Sequence, residues 1–149
     1  MDIQELLSPK GIFLDVPATD KPTLLRELAG RAEAGTRVPA ERILAELVKR
    51  EDLGSTGVGN GLAIPHVRLA EVARPTALFV RLQRPIDFDA VDGQGVDLVV
   101  LLVLPNAPKL AQSALASVAK AFRDPRRLEQ IRQAANARAV LDALAANEN

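Results

Sequence analysis

The sequence contains no cysteine, an absence that removes a disulfide framework, a thiolate nucleophile and any cysteine-based metal site at once. It fits a reducing compartment, and the cytoplasm is the expected location. An excess of charge of one sign is missing too, since 19 Lys plus Arg balance 19 Asp plus Glu. No whole-protein field therefore draws in nucleic acid or an anionic membrane surface, and neither is expected as a partner. Long hydrophobic runs are also absent. The opening Met1-Asp-Ile-Gln-Glu is acidic and has no apolar run long enough for a signal peptide. The longest strongly apolar stretch, Leu98 to Leu104, falls far short of the ~20 residues that span a bilayer as a helix. It belongs in a core, and no membrane insertion is expected.

What is present suits one ordinary domain. At 149 residues with 48% hydrophobic side chains, the chain can bury a continuous core, and a single domain over residues 1–149 is expected. Gly11 to Val16, an apolar run between Ser8-Pro9 and Pro17, reads as a strand. Asp20-Lys21-Pro22 offers a cap and a first-turn proline, and Leu24, Leu25, Leu28, Ala29 and Ala32 recur at helical spacing. Pro39 opens a second helix whose apolar stripe is Ile43, Leu44, Leu47 and Val48, with Arg50 at its edge.

Gly54 to Gly61 carries four glycines and no helical period, and reads as a loop. Leu62 to Val67 continues it as an extended segment, because Pro65 forbids a helix interior and pushes Ile64 towards β geometry. Thr76 to Leu82 and Asp97 to Leu104 read as central strands, and Asp92-Gly93 between them marks a hairpin or long loop. Helical spacing returns from Leu110 to Phe122, around Leu128 and Ile131, and around Val140, Leu141 and Leu144, with helix starts at Asp124-Pro125 and Asn136. Strand, two helices, loop, strands and three helices together describe an α/β sandwich with a mixed sheet.

His66 is the only histidine, hence the only side chain with an unperturbed pKa near neutrality and the only natural nitrogen nucleophile. A lone histidine is more often packed or merely exposed than chemical. Its neighbourhood changes that balance, because a histidine directly after proline, at the end of a glycine-rich loop, sits on stiff backbone beside unshielded amide N–H groups that can bind phosphate oxygens. Ser55, Thr56 and Asn60 add donors, and Arg50 adds a permanent positive charge. Phosphoryl transfer asks for this set, since its demands are positioning and charge stabilisation.

Plainer accounts stand beside that one. The glycines serve equally as a turn device, Ser55 and Thr56 as caps or bridges of the loop, and Arg50 as a partner of Glu46 four residues earlier. A P-loop is excluded, because Gly54 to Gly61 has no lysine and follows a helix. A dinucleotide fingerprint would need glycine where Leu62 stands. One histidine without cysteine is a poor ligand set, so no metal and no cofactor is expected. Asp87, Asp89 and Asp92 are accounted for by turn chemistry, and Arg123, Arg126 and Arg127 by a solvated face.

Arg50-Glu-Asp-Leu-Gly-Ser-Thr-Gly-Val-Gly-Asn-Gly-Leu-Ala-Ile-Pro-His66 closely resembles the active-site signature of the type-2 enzyme IIA domains of the bacterial phosphoenolpyruvate-dependent phosphotransferase system. Within that family it is most similar to the nitrogen-regulatory IIA proteins. The likeness continues through Pro85-Ile-Asp-Phe-Asp-Ala-Val-Asp and Val96-Asp-Leu to Leu104-Pro105, and so covers nearly the whole chain. It implies a single α/β domain with a central mixed sheet flanked by helices. It further implies that His66 accepts phosphate on Nε2 from a phosphohistidine of HPr or an HPr-like carrier, without a metal. By the same match Arg50 helps hold the phosphate, and Ser55, Thr56, Gly57, Gly59 and Asn60 belong to the phosphate pocket. One departure stands out. Many members carry a second histidine at the start of the helix after the long central strand, where this chain has Ala111 beside Gln112.

The leading expectation is a phosphorylation-dependent regulator of the nitrogen and potassium type, because about two added negative charges can make or break an interface. The length, that of a stand-alone IIA, favours it. The alternatives are a IIA subunit passing phosphate to a sugar-specific IIB domain, and a docking module that no longer transfers phosphate.

Overall fold

The computed structural model describes residues 1–146. Its spine is β6, Val96–Leu104, a run so uniformly apolar that both of its faces must be covered. Successive side chains of a strand point to opposite faces. Leu98, Val100, Leu102 and Leu104 accordingly enter one core, while Val99, Leu101 and Val103 enter the other. β5, Thr76–Ile86, pairs with it antiparallel and splits the same way, with Ala77 and Phe79 on the first side and Leu78, Val80 and Leu82 on the second.

The six-stranded mixed sheet runs in the order β1-β5-β6-β3-β2, with β4 also on β6. β1 is Ile12–Val16 and lies parallel to β5. The short strands β2 (Gly57–Gly59), β3 (Leu62–Ala63) and β4 (His66–Arg68) all come from the chain around the glycine-rich stretch. β3 and β4 both run parallel to β6.

Helices cover both faces. Helices α2 (Lys21–Thr36) and α3 (Ala40–Asp52) bring Leu24, Leu28, Ile43 and Leu47 to the second core. Helices α1 (Ile3–Leu6), α4 (Pro108–Ala121), α5 (Pro125–Gln133) and α6 (Ala137–Ala145) bring Ile3, Val118, Ile131 and Val140 to the first. Each such fully buried aliphatic side chain contributes about 1.5–3 kcal/mol relative to exposure. The α/β sandwich with a mixed sheet expected from the element order is the one observed. No helix among the described residues is long and apolar enough to cross a membrane.

The expected helix starts are present as side-chain caps. Asp20 accepts from the Thr23 N–H at 2.8 Å, Asp124 from Arg126 at 2.9 Å and Asn136 from Ala139 at 2.9 Å. The first of these bonds has a titration counterpart, because the Asp20 carboxyl is held below its ordinary value chiefly by the hydrogen bond with Thr23.

Three features depart from the sequence reading. α1 was not expected, and it exists because Ile3 and Leu6 pack into the first core. β5 continues past Leu82 to Ile86, crossing Pro85 by a shift of register between Arg81 and Ile86. The stretch read as a loop holds a hairpin in which β2 pairs antiparallel with β3 around Asn60-Gly61. Asn60 and Gly61 have φ of 58° and 78°, the positive values that a two-residue primed turn requires and that Asn-Gly adopts most readily. Between β5 and β6 the connection is a hairpin with a long tip, closed by the Gly93 N–H on the Ala90 carbonyl at 3.0 Å.

Candidate functional site

β4 places His66. Its parallel register with β6 puts His66 opposite Leu102, and the Pro65 carbonyl accepts from the Leu102 N–H at 2.9 Å. Alternation then sends Val67 inward and leaves His66 half-buried and Arg68 exposed on the other side of the strand. The last turns of α3 lie against β4 and supply Glu46, Lys49 and Arg50, with Leu53 just beyond, while α4 contributes Leu115. Together these residues line a depression of about 390 Å³, at the small end of the ~300–1,000 Å³ typical of sites that enclose a small molecule.

The ring of His66 is oriented from below. Nδ1 lies 2.9 Å from the Ile64 carbonyl oxygen, which can only accept, so in the neutral ring Nδ1 carries the proton and Nε2 keeps its lone pair. Nε2 has no hydrogen-bond partner among the described residues. Arg50 donates one of its N–H groups to the Gly54 carbonyl at 2.9 Å, which steadies the guanidinium and leaves its other donors available. Arg50 does not pair with Glu46. That carboxylate takes Arg42 at 2.7 Å and Lys49 at 3.5 Å, and its pKa is held below the ordinary value chiefly by the Arg42 hydrogen bond.

The other expected pocket residues are placed differently. None of Ser55, Thr56, Gly57, Gly59 and Asn60 lines the depression. The Ser55 hydroxyl donates to the Phe88 carbonyl at 2.6 Å and accepts from the Gly57 N–H at 3.0 Å. Thr56 is buried, and both its N–H and its hydroxyl donate to the Glu51 carboxylate. Gly57 is pressed so closely on Ala90 that an added Cβ would lie 2.7 Å from the alanine methyl. Gly59 holds a φ of +101°. The Asn60 N–H donates to Asp92 at 3.2 Å, and its carbonyl accepts from Arg132 at 2.6 Å. Both hydroxyls thus bridge the loop to neighbouring groups, while Arg50 and His66 line one depression.

Two residues, Arg68 at the mouth of that depression and Glu51 away from it, lie outside the sequence reading. Arg68 stands two positions after His66, so strand alternation alone would have placed both on one face. Its side chain has no hydrogen-bond or ion-pair partner among the described residues. Glu51 stands four residues after Leu47 on the buried stripe of α3 and is only 8% exposed, with the Lys21 ammonium 3.0 Å away. A carboxylate continuing an apolar stripe was the signal. Ala111, at the place of the family's second histidine, is fully buried in the first core, so α4 presents Leu115 and no imidazole to the depression. Arg127, one of the arginines read as a wet face, is buried and donates to the carbonyls of Ala121 and Ala146 at 3.0 and 2.6 Å.

Comparison with known proteins bears on this geometry. The model of the family described as "Phosphoenolpyruvate-dependent sugar phosphotransferase system, EIIA 2" matches residues 5–147. A nitrogen regulatory protein of Bradyrhizobium diazoefficiens is 38% identical over 146 residues, covering 97% of this chain and 95% of the relative. The crystal structure of the nitrogen regulatory protein IIA-Ntr from Neisseria meningitidis superposes with a TM-score of 0.90 at 34% identity, over 96% of this chain and 99% of that one. The mannitol IIA of Escherichia coli, solved in complex with phosphorylated mannitol IIB, shares the fold with a TM-score of 0.79 at 22% identity, over 93% of this chain and 96% of that one.

Proposed function

Since the chain belongs to the EIIA 2 family of the phosphoenolpyruvate-dependent sugar phosphotransferase system, we propose that His66 accepts a phosphoryl group from a phosphohistidine of an HPr-like carrier and that the phosphorylated form acts as a regulator. The observation that carries this reading is the 2.9 Å contact between Nδ1 and the Ile64 carbonyl. It commits Nδ1 to the proton and reserves the Nε2 lone pair for attack. In the transfer, Nε2 bonds to phosphorus as the donor's P–N bond breaks and its electron pair returns to the donor imidazole. The Nδ1 proton stays in its bond to Ile64, where the carbonyl dipole favours the positive charge that the ring gains.

The three phosphoryl oxygens need donors, and Arg50 and Arg68, which line the same depression as His66, supply them. Ser55, Thr56, Gly57, Gly59 and Asn60 contribute by holding the hairpin that leads into His66. Phosphorylation places about −1.5 to −2 charges beside Lys49, Arg50 and Arg68, which changes the surface a partner meets. A regulated target protein that binds according to the phosphorylation state is the favoured partner, in keeping with the nitrogen regulatory relatives. Onward transfer to a IIB domain is the second reading, and the complex formed by mannitol IIA with phosphorylated IIB supports it.

Incubation with enzyme I, the carrier and phosphoenolpyruvate, followed by intact mass measurement, tests the proposal. The native chain should gain one phosphate and His66→Ala none. A native chain that stays unmodified leaves a docking module that no longer transfers phosphate. Passage of the phosphate to a purified IIB would favour the transport reading over the regulatory one.

A further inference from the structure

We infer that Glu51 is a positioning residue for His66, acting through a chain of three hydrogen-bonded links that decides which imidazole nitrogen is free. This deepens the acceptor reading above and rests on it. The links are continuous. The Glu51 carboxylate receives the Thr56 N–H at 3.2 Å and the Thr56 hydroxyl. The Thr56 carbonyl accepts from the Ile64 N–H at 3.0 Å, and the Ile64 carbonyl accepts from His66 Nδ1 at 2.9 Å.

Each link passes on an orientation. Thr56 cannot drift, because its neighbours Ser55 and Gly57 are fastened to the Phe88 carbonyl and packed on Ala90. Fixing the Ile64 N–H sets one side of that residue, and Pro65 restricts its ψ to the extended region. The direction of the Ile64 carbonyl follows from the two constraints, and the imidazole tautomer follows from the carbonyl.

As a stability device the Glu51–Lys21 pair is a poor choice, because desolvating two charges cancels much of what their attraction returns. The side chains are 4% and 16% exposed, so that penalty is felt. What a buried carboxylate supplies here and an apolar residue would not is direction, with two acceptor oxygens aimed at one threonine. Lys21 in turn is held over the Phe88 ring at 4.4 Å, which keeps the carboxylate from turning towards solvent.

The test reads the tautomer directly. Long-range 1H–15N correlation on the neutral ring of His66 is recorded for the wild type, Glu51→Ala, Glu51→Gln and Thr56→Val, with the amide spectrum showing that each is folded. A free histidine favours the Nε2–H tautomer, so a dominant Nδ1–H form in the wild type, by about tenfold as one hydrogen bond allows, is already informative. Glu51→Ala should shift the ring towards Nε2–H and slow phosphoryl uptake roughly tenfold or more, as misplacement of a reacting group does. Glu51→Gln keeps one acceptor oxygen and should retain most of the Nδ1–H form and most of the rate.

A folded Glu51→Ala with an unchanged tautomer ratio overturns the inference. If that variant does not fold, Thr56→Val, which deletes one bond at constant volume, carries the test: an intermediate shift supports the chain of links and no shift overturns it. The two readings fail separately. Tautomer shifts as stated in a protein whose wild type takes no phosphate would sink the acceptor reading while keeping Glu51 as the residue that orients the ring.

Discussion

Residues 51–57 and residues 66–68 belong to one continuous stretch, yet they treat their polar atoms in opposite ways. At the first end Glu51, Ser55 and Thr56 are bonded to Lys21, to the Phe88 carbonyl and to one another. At the second, His66 and Arg68 face an open depression, and Arg50 beside them makes a single bond to the Gly54 carbonyl. A buried polar group without a partner costs about 1–3 kcal/mol, so the first end must be complete to exist at all. The second end is tolerable because water satisfies it until a phosphoryl group arrives. Rigidity is concentrated in the clasp, and unsatisfied bonding capacity is concentrated at the mouth.

The contrast can be broken most completely at the mouth. His66→Ala should abolish phosphoryl uptake, read by intact mass, while changing the unfolding free energy by about 1 kcal/mol or less, the range of substitutions outside a packed core. If stability fell as far as activity, the division between the two ends would be lost.

Around the clasp the loss should appear in stability, which the mouth leaves nearly untouched. Lys21→Met leaves the Glu51 carboxylate buried without its ammonium and should cost about 2–3 kcal/mol in urea unfolding, somewhat below the figure for a fully buried pair because the lysine is partly exposed. Gly61→Ala comes next. Its φ of +78° is strained for alanine, and the new Cβ would lie 2.4 Å from Arg132 Nη2 and 2.7 Å from Asp97 Oδ1. A loss of about 2 kcal/mol is expected, from the left-handed backbone and the displaced Arg132–Asp97 pair, with phosphoryl uptake retained at temperatures where the protein stays folded.

Arg68→Ala should slow uptake roughly tenfold, the scale of one charge-assisted contact of about 1.4 kcal/mol, and leave the thermal midpoint in place. The smallest effect concerns acid. Glu46 has its pKa lowered by Arg42, so its pairing is fully present above the ordinary glutamate value and is lost as pH falls through the lowered one. An NMR titration of its carboxyl carbon should show a midpoint below that of an unpaired glutamate, and Arg42→Ala should raise it most of the way towards the ordinary range, with Lys49 holding the rest.

How legible these two ends were in the sequence follows from the range of the interactions. β6 announced itself because a strand covered on both faces needs an unbroken apolar run, which Leu98 to Leu104 is. Asp124 and Asn136 marked their helices because a cap is a contact two or three residues long. The hairpin at Asn60-Gly61 is legible in the dipeptide itself, which specifies a primed turn, although the four glycines around it carry no strand period. Arg68 was likewise within reach of the period-2 rule. The Glu51–Lys21 pair was not, because it joins α2 to α3 and no local pattern reports which lysine a carboxylate will find. Ser55 and Thr56 present hydroxyls that fit phosphate or loop equally well, and only the positions of Phe88 and Glu51 decide where those hydroxyls point.

The account turns on which ring nitrogen receives the phosphate. 15N and 31P NMR of the phosphorylated protein, made with enzyme I, the carrier and phosphoenolpyruvate, should show phosphorus coupled to Nε2 of His66 and the proton on Nδ1. Phosphorus bound to Nδ1 would contradict it, because the nitrogen held 2.9 Å from the Ile64 carbonyl would then have been the one that reacted.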